Sequence, residues 1–71
     1  MIRSMVDGLA ARLEQSPRDA EGWIKLIRSR VVLGETEQAK VSLHRALAVF
    51  AEESGERTRI ADAAKQLGIA P

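Results

Sequence analysis

Apolar residues recur along this chain at three- and four-residue steps, and the breaks between those runs divide it into four helices. Ile2, Met5, Val6, Leu9 and Leu13 fall within about a third of a helix circumference, while Arg3, Asp7, Ala11 and Glu14 lie elsewhere. Ser16-Pro17 stops this first helix, because the residue before a proline is driven out of the helical region. Asp19 then offers a side-chain acceptor to the free amides of the next helix.

The second helix, about Ala20 to Leu33, is apolar on more than one side. Ala20, Trp23, Leu26, Ile27 and Leu33 form one stripe, and Ile24, Val31 and Val32 widen it past what one packing partner covers. Two faces of this helix are therefore expected to meet neighbours, or one meets the core and the other a ligand. Arg30 lies inside the stripe; its stem is expected to cover the Trp23 indole while the guanidinium reaches water or a glutamate. Gly34 closes the helix as a left-handed cap, and Glu35-Thr36-Glu37 opens the third with acid in its first turn. Ala39, Leu43, Ala46, Leu47 and Phe50 share one face of that helix; Lys40, His44, Arg45 and Glu52 lie off it. Ser54-Gly55 breaks the chain again, with Ser54 a candidate N-cap. The last helix carries a thin apolar face of Ile60, Ala61, Ala64 and Leu67, and Gly68 ends it. Such a helix covers one end of a core. Short connections make consecutive helices antiparallel neighbours, so the expected fold is all-α and built of antiparallel helical hairpins.

Length and composition agree. At 71 residues, 45% hydrophobic and 30% charged, the chain is one small globular domain. Its only aromatics are Trp23 and Phe50, which leaves the core to Leu, Ile, Val and Ala. Eleven basic and 10 acidic residues are interleaved along it, for a net charge of +1. No block of like charge forms a track for a nucleic-acid backbone. Without cysteine there is neither a disulfide nor thiol chemistry within this chain. No apolar run approaches the ~20 residues of a membrane span, so no membrane contact by this stretch is expected.

The run Trp23-x-x-Leu26, then Gly34, Ala39 and Ala46-Leu47 has the spacing of a tetratricopeptide repeat, which it resembles. In that reading Trp and Leu wedge between the hairpin's helices, Gly permits the tight turn, and each Ala permits close approach. The 34-residue period extends outward: Met5, Leu9 and Leu13 precede Ala39, Leu43 and Leu47 by one period, and Ile60, Leu67 and Gly68 follow Leu26, Leu33 and Gly34 by one. The chain thus reads as a closing helix over 2–15, one full repeat over about 20–52 and a capping helix over about 55–67. The resemblance implies a four-helix fragment of a right-handed superhelix, folding as a unit because a lone hairpin cannot bury its apolar face. Ile27 stands where the repeat has a small residue, Arg30 where it has Tyr, Leu43 for an aromatic, Ala51 for Pro and Arg57 for Trp.

A narrower resemblance rests on Met5-Val6-Asp7-Gly8-Leu9-Ala10-Ala11-Arg12-Leu13, Pro17, Asp19-Ala20-Glu21-Gly22-Trp23 and Val32-Leu33-Gly34-Glu35. These are similar to the C-terminal repeat region of the bacterial cytochrome c maturation family, the apocytochrome c chaperone subunits associated with the heme-ligation complex. That resemblance implies a periplasmic domain, the water-exposed part of a protein anchored by an N-terminal membrane segment. It also implies binding of the C-terminal helix of unfolded apocytochrome c, presented to the heme-ligation subunits. A full-length chain of this sequence is expected instead in the cytoplasm.

Catalysis has little to stand on. His44 is the only histidine and reads as a solvated surface residue, and no carboxylate pair or metal-ligand spacing accompanies it. Glu52-Glu53 reads as a charged helix end. The stretch Ile60 to Ile69 looks like the opening of a helix-turn-helix, but the base-reading helix that follows in such motifs is missing from this sequence. No enzyme, cofactor or metal is therefore expected. The candidate binding groove runs along Glu21, Ile24, Arg28, Val31 and Val32 of the second helix, with Thr58, Asp62 and Lys65 of the last. An apolar strip edged by charge suits an amphipathic helix laid in a groove. Packing of Ile24 and Val31 on the first or last helix is the equal alternative. Two functions follow: a non-catalytic peptide-binding module in cytochrome c biogenesis, or a structural scaffold that self-associates or docks in a larger assembly.

Overall fold

The computed structural model describes residues 2–52 and 54–69, with side chains from Ser4 onward. Four helices follow one another: α1 (Ile2–Gln15), α2 (Ala20–Val32), α3 (Thr36–Val49) and α4 (Gly55–Gln66), with no strand among the described residues. The starts of α2 and α4 have a local cause. The Asp19 carboxylate accepts from Gly22 N at 3.1 Å and starts α2; the Ser54 hydroxyl accepts from Arg57 N at 3.2 Å and starts α4.

Helices α2 and α4 end in the same way, one 34-residue period apart. Gly34 and Gly68 both lie at φ 80°, a backbone conformation that favours glycine. Gly34 N donates to Val31 O and Glu35 N to Arg30 O, and Gly68 N to Lys65 O and Ile69 N to Ala64 O. These are the paired hydrogen bonds of a Schellman turn, which normally carries an apolar contact between its first and last residues. At α4 those residues are Ala64 and Ile69, both buried. At α2 they are Arg30 and Glu35, joined by an ion pair at 3.2 Å. The same turn is closed by oil in one case and by charge in the other.

Helix α2 packs against α1, α3 and α4, and α4 packs against both α2 and α3. Ion pairs give the sense of the helices. Arg59, early in α4, pairs with Glu21, early in α2; Arg45, late in α3, pairs with Glu14, late in α1. Alternate helices therefore run the same way and consecutive ones oppose. The core gathers Val6 and Leu13 from α1, Trp23, Leu26 and Ile27 from α2, Leu43 and Ala46 from α3, and Ile60 from α4.

Two expectations need correction. Met5 does not join the α1 stripe: it is 71% exposed, and Leu9 is only partly buried. Nothing among the described residues lies over that side of α1, since α1 has a packed helical neighbour only in α2. Arg30 does reach a glutamate, but the cation over the Trp23 ring is Arg45, at 5.9 Å. The indole is held instead by its own Nε1, which donates to Pro17 O at 2.6 Å. Arg57 then proves a working substitute for tryptophan. Its Nη1 donates to Leu47 O at 2.6 Å and Phe50 O at 3.2 Å, so it binds the open carbonyl end of α3 as Trp23 binds the chain leaving α1.

Glu52 is less free than a solvated helix end; Glu53 lies outside the described residues. Arg18 donates to Glu52 at 2.7 Å, and its guanidinium lies 5.0 Å from the Phe50 ring. That hydrogen bond, followed by one from backbone, holds the Glu52 carboxyl below the usual carboxylate range and raises Arg18. Because the folded value is the lower one, the stabilisation is complete above the ordinary glutamate range and disappears as pH falls through the depressed value. Both side chains are more than half exposed, so water screens the effect. Carboxyl NMR should titrate Glu52 at lower pH in the parent than in Arg18→Ala; coincident midpoints would contradict the pairing.

Candidate functional site

The eight residues singled out from the sequence fall into three places. Glu21 is exposed and ion-paired to Arg59, which ties α2 to α4. Ile24 and Val31 are half-buried and pack against the edge of the core, whereas Val32 is 70% exposed. On α4, Thr58 Oγ1 donates to Ser54 O at 3.2 Å, and Asp62 and Lys65 are exposed. Thr58 and Asp62 share a shallow recess with Arg57 and Ala61. Arg28, one turn beyond Ile24 on the same helix face, also lines a groove between α2 and α1. The α2–α4 face is thus a partly apolar surface stitched at one end by the Glu21–Arg59 pair. Arg59 escaped the sequence reading, although the signal was present. It stands one period after Lys25, which is itself one turn beyond Glu21.

The α1–α2 groove was not anticipated at all. It encloses about 640 Å³; Met5, Gly8 and Leu9 form its apolar floor and Arg12, Lys25 and Arg28 its rim. Sequence periodicity had assigned Met5 and Leu9 to the core, because it cannot tell a stripe that is covered from one that waits to be. Gly8 was the missed clue. It stands in mid-helix, where glycine is unfavourable by about 1 kcal/mol relative to alanine. A Cβ built on it meets nothing within 4 Å, so no packing within the fold requires it. Gly8→Ala should therefore stabilise the domain by about 0.5–1 kcal/mol in urea unfolding. A destabilised variant would show that the groove floor is tighter than described.

Among the described residues no three His, Cys, Asp or Glu side chains are grouped to hold a metal ion, and no described helix is long and apolar enough to cross a membrane. His44 is exposed.

Fold and surface together define a class: an all-α domain of helical hairpins with a partly apolar α2–α4 face and a basic-rimmed α1–α2 groove. Within it, the chain is 44% identical over 69 residues, 97% of its length, to the cytochrome c-type biogenesis protein CycH of Rhizobium meliloti. It is 33% identical over 69 residues to the protein of the same name from Bradyrhizobium diazoefficiens. The chain spans about a fifth of these relatives, 18% of the first and 19% of the second. No family model matches the chain, and no solved structure matches it.

Proposed function

We propose that this chain is a non-catalytic, protein-binding module of cytochrome c biogenesis, built as a tetratricopeptide-type superhelix fragment. The observation that carries the reading is the similarity to the two CycH proteins across 97% of the chain. The fold supports it in two ways. Helix α4 lies against both helices of the preceding hairpin, as stacked repeats require, and the Gly34 and Gly68 turns repeat their hydrogen bonds at a 34-residue step. The ligand in this reading is the C-terminal helix of an apocytochrome c, laid on the α2–α4 face. Ile24, Val31 and Val32 supply apolar contact, and Glu21, Arg28, Thr58, Asp62 and Lys65 supply polar contact. Subunits of the heme-ligation complex are the further partners and carry the heme chemistry, and the domain works in the periplasm. A single hairpin face binds weakly, so affinity in the longer protein draws on additional contacts.

Calorimetric titration with that helix peptide, run beside sedimentation of the domain alone, tests the reading. Saturable binding by a monomeric domain is expected. Concentration-dependent dimers and no heat from the peptide would favour the scaffold function instead.

A further inference from the structure

We propose that Arg59 selects a carboxylate on the helix bound to the α2–α4 face, and that Glu21 holds that carboxylate's place in the free domain. The inference rests on the cytochrome reading for the occupant and adds the chemistry by which the occupant is recognised.

The surface concerned stays open when hairpins stack. Glu21, Lys25, Arg28 and Val32 follow one another at steps of four, three and four, so they form one stripe along α2. All four are exposed, although α2 packs against α1, α3 and α4. One period later Gly55, Arg59, Asp62 and Gln66 repeat the stripe on α4 and are exposed as well. Met5 behaves differently, since its counterpart one period later, Ala39, is fully buried. Stacking therefore closes the seat beside Met5 and leaves the α2 and α4 stripes free for a ligand.

The Glu21–Arg59 pair joins the two stripes. Arg59 Nη2 donates to Glu21 Oε1, and among the described residues the guanidinium has no other hydrogen-bond partner. Most of its N–H donors are therefore unused. The side chains of Arg59 and Glu21 are 55% and 64% exposed, so water screens the pair and it contributes little to stability. Helices α2 and α4 do not depend on it, because Ile27, Ile60 and Ala64 are fully buried in the shared core. The pair thus opens easily, and it lies one turn from Ile24. A helix laid over Ile24 and Val32 covers the pair and removes its water. Two carboxylates on one guanidinium then repel, and Glu21, exposed and unpacked, is the one that gives way.

Neighbouring charge makes the incoming group an acid for Arg59 and not a base for Glu21. Lys25 and Arg28 follow Glu21 along its stripe, and Lys65 stands one turn beyond Asp62. With Arg59 these are four cations against the two carboxylates of Glu21 and Asp62. The excess survives without Lys25, which takes the place of Arg59 one period earlier and borders the α1 side. Glu56, one turn before Arg59, is close enough to Arg18 to stabilise that charge. The field over the face is positive and favours an acidic helix.

The test titrates the 71-residue chain with two C-terminally amidated forms of the apocytochrome c helix peptide. One keeps its aspartates and glutamates; the other carries asparagine and glutamine in their places. Glu21→Gln should tighten the acidic peptide roughly threefold, and Arg59→Gln should weaken it roughly tenfold. Neither change should alter binding of the amide peptide by more than a small factor. Arg59→Lys, which keeps the charge, should keep the preference for the acidic form. Urea midpoints of all three variants should stay near the parent's, since both positions are exposed. Weaker binding in both Glu21→Gln and Arg59→Gln would make the pair a stitch between helices and overturn the proposal. Weaker binding in Glu21→Gln with tighter binding in Arg59→Gln would make Glu21 the recognised charge and overturn it equally. Either result leaves the cytochrome reading standing. A parent chain that binds neither peptide defeats that reading and this inference with it.

Discussion

Replacing Ile27 by alanine is expected to destabilise the domain by about 2–5 kcal/mol, the range for deleting a large buried aliphatic side chain. The expectation runs against the repeat pattern, in which a small residue is usual at this position. Ile27 is fully buried, on the helix whose backbone packs against all three others. Its removal leaves a void in the shared core that the surrounding helices must move to fill. A domain of 71 residues has roughly 4–10 kcal/mol of total stability by the usual per-residue range, so the loss is a large share. At about 4–8 °C per kcal/mol the melting temperature should drop by roughly 10 °C or more. Val32→Ala, on an exposed position of the same helix, should change it little. An Ile27→Ala domain as stable as the parent would mean that the repeat's usual packing is available here and the side chain is superfluous.

The second large effect concerns Arg30 and Glu35. Their side chains are 17% and 14% exposed, and Arg30 Nε is buried with no hydrogen-bond partner among the described residues. Breaking a well-buried pair costs about 3–5 kcal/mol; with this residual water contact, Glu35→Ala should cost about 1–3 kcal/mol. The loss reflects a guanidinium left with poor compensation. Helix α4 shows the alternative, since Ala64 and Ile69 close the equivalent turn without charge. The double variant Arg30→Ala, Glu35→Ile should therefore recover most of the single-mutant loss. Urea midpoints for the parent, Arg30→Ala, Glu35→Ile and the double variant measure the coupling directly. Additive losses would show that the two side chains act independently.

The sequence exposed most of the fold because its helix signals were local. Pro17, Asp19, Gly34, Ser54 and Gly68 mark boundaries by backbone chemistry that needs no tertiary context, and each stands where a helix starts or stops. What stayed hidden depended on which apolar face found a neighbour. Met5 and Val6 belong to one stripe, yet Val6 is buried and Met5 is not. Arg57 read as a lost tryptophan, because its bonds to the α3 carbonyls depend on where the end of α3 comes to rest. The candidate site was legible only in part. Periodicity identified α2 as too apolar for a single contact, and Val32 is indeed left open. It could not divide the rest between the α4 side, where Glu21 pairs with Arg59, and the α1 side, onto which Arg28 opens.

The central claim is that a cytochrome-derived helix binds the α2–α4 face. The most direct measurement is an amide chemical-shift titration of the labelled domain with the C-terminal helix peptide of an apocytochrome c. Shifts concentrated at Ile24, Arg28, Val31, Val32 and Asp62, saturating with peptide, are the predicted result. Spectra unchanged at millimolar peptide would contradict it and leave the domain a scaffold element of a larger assembly.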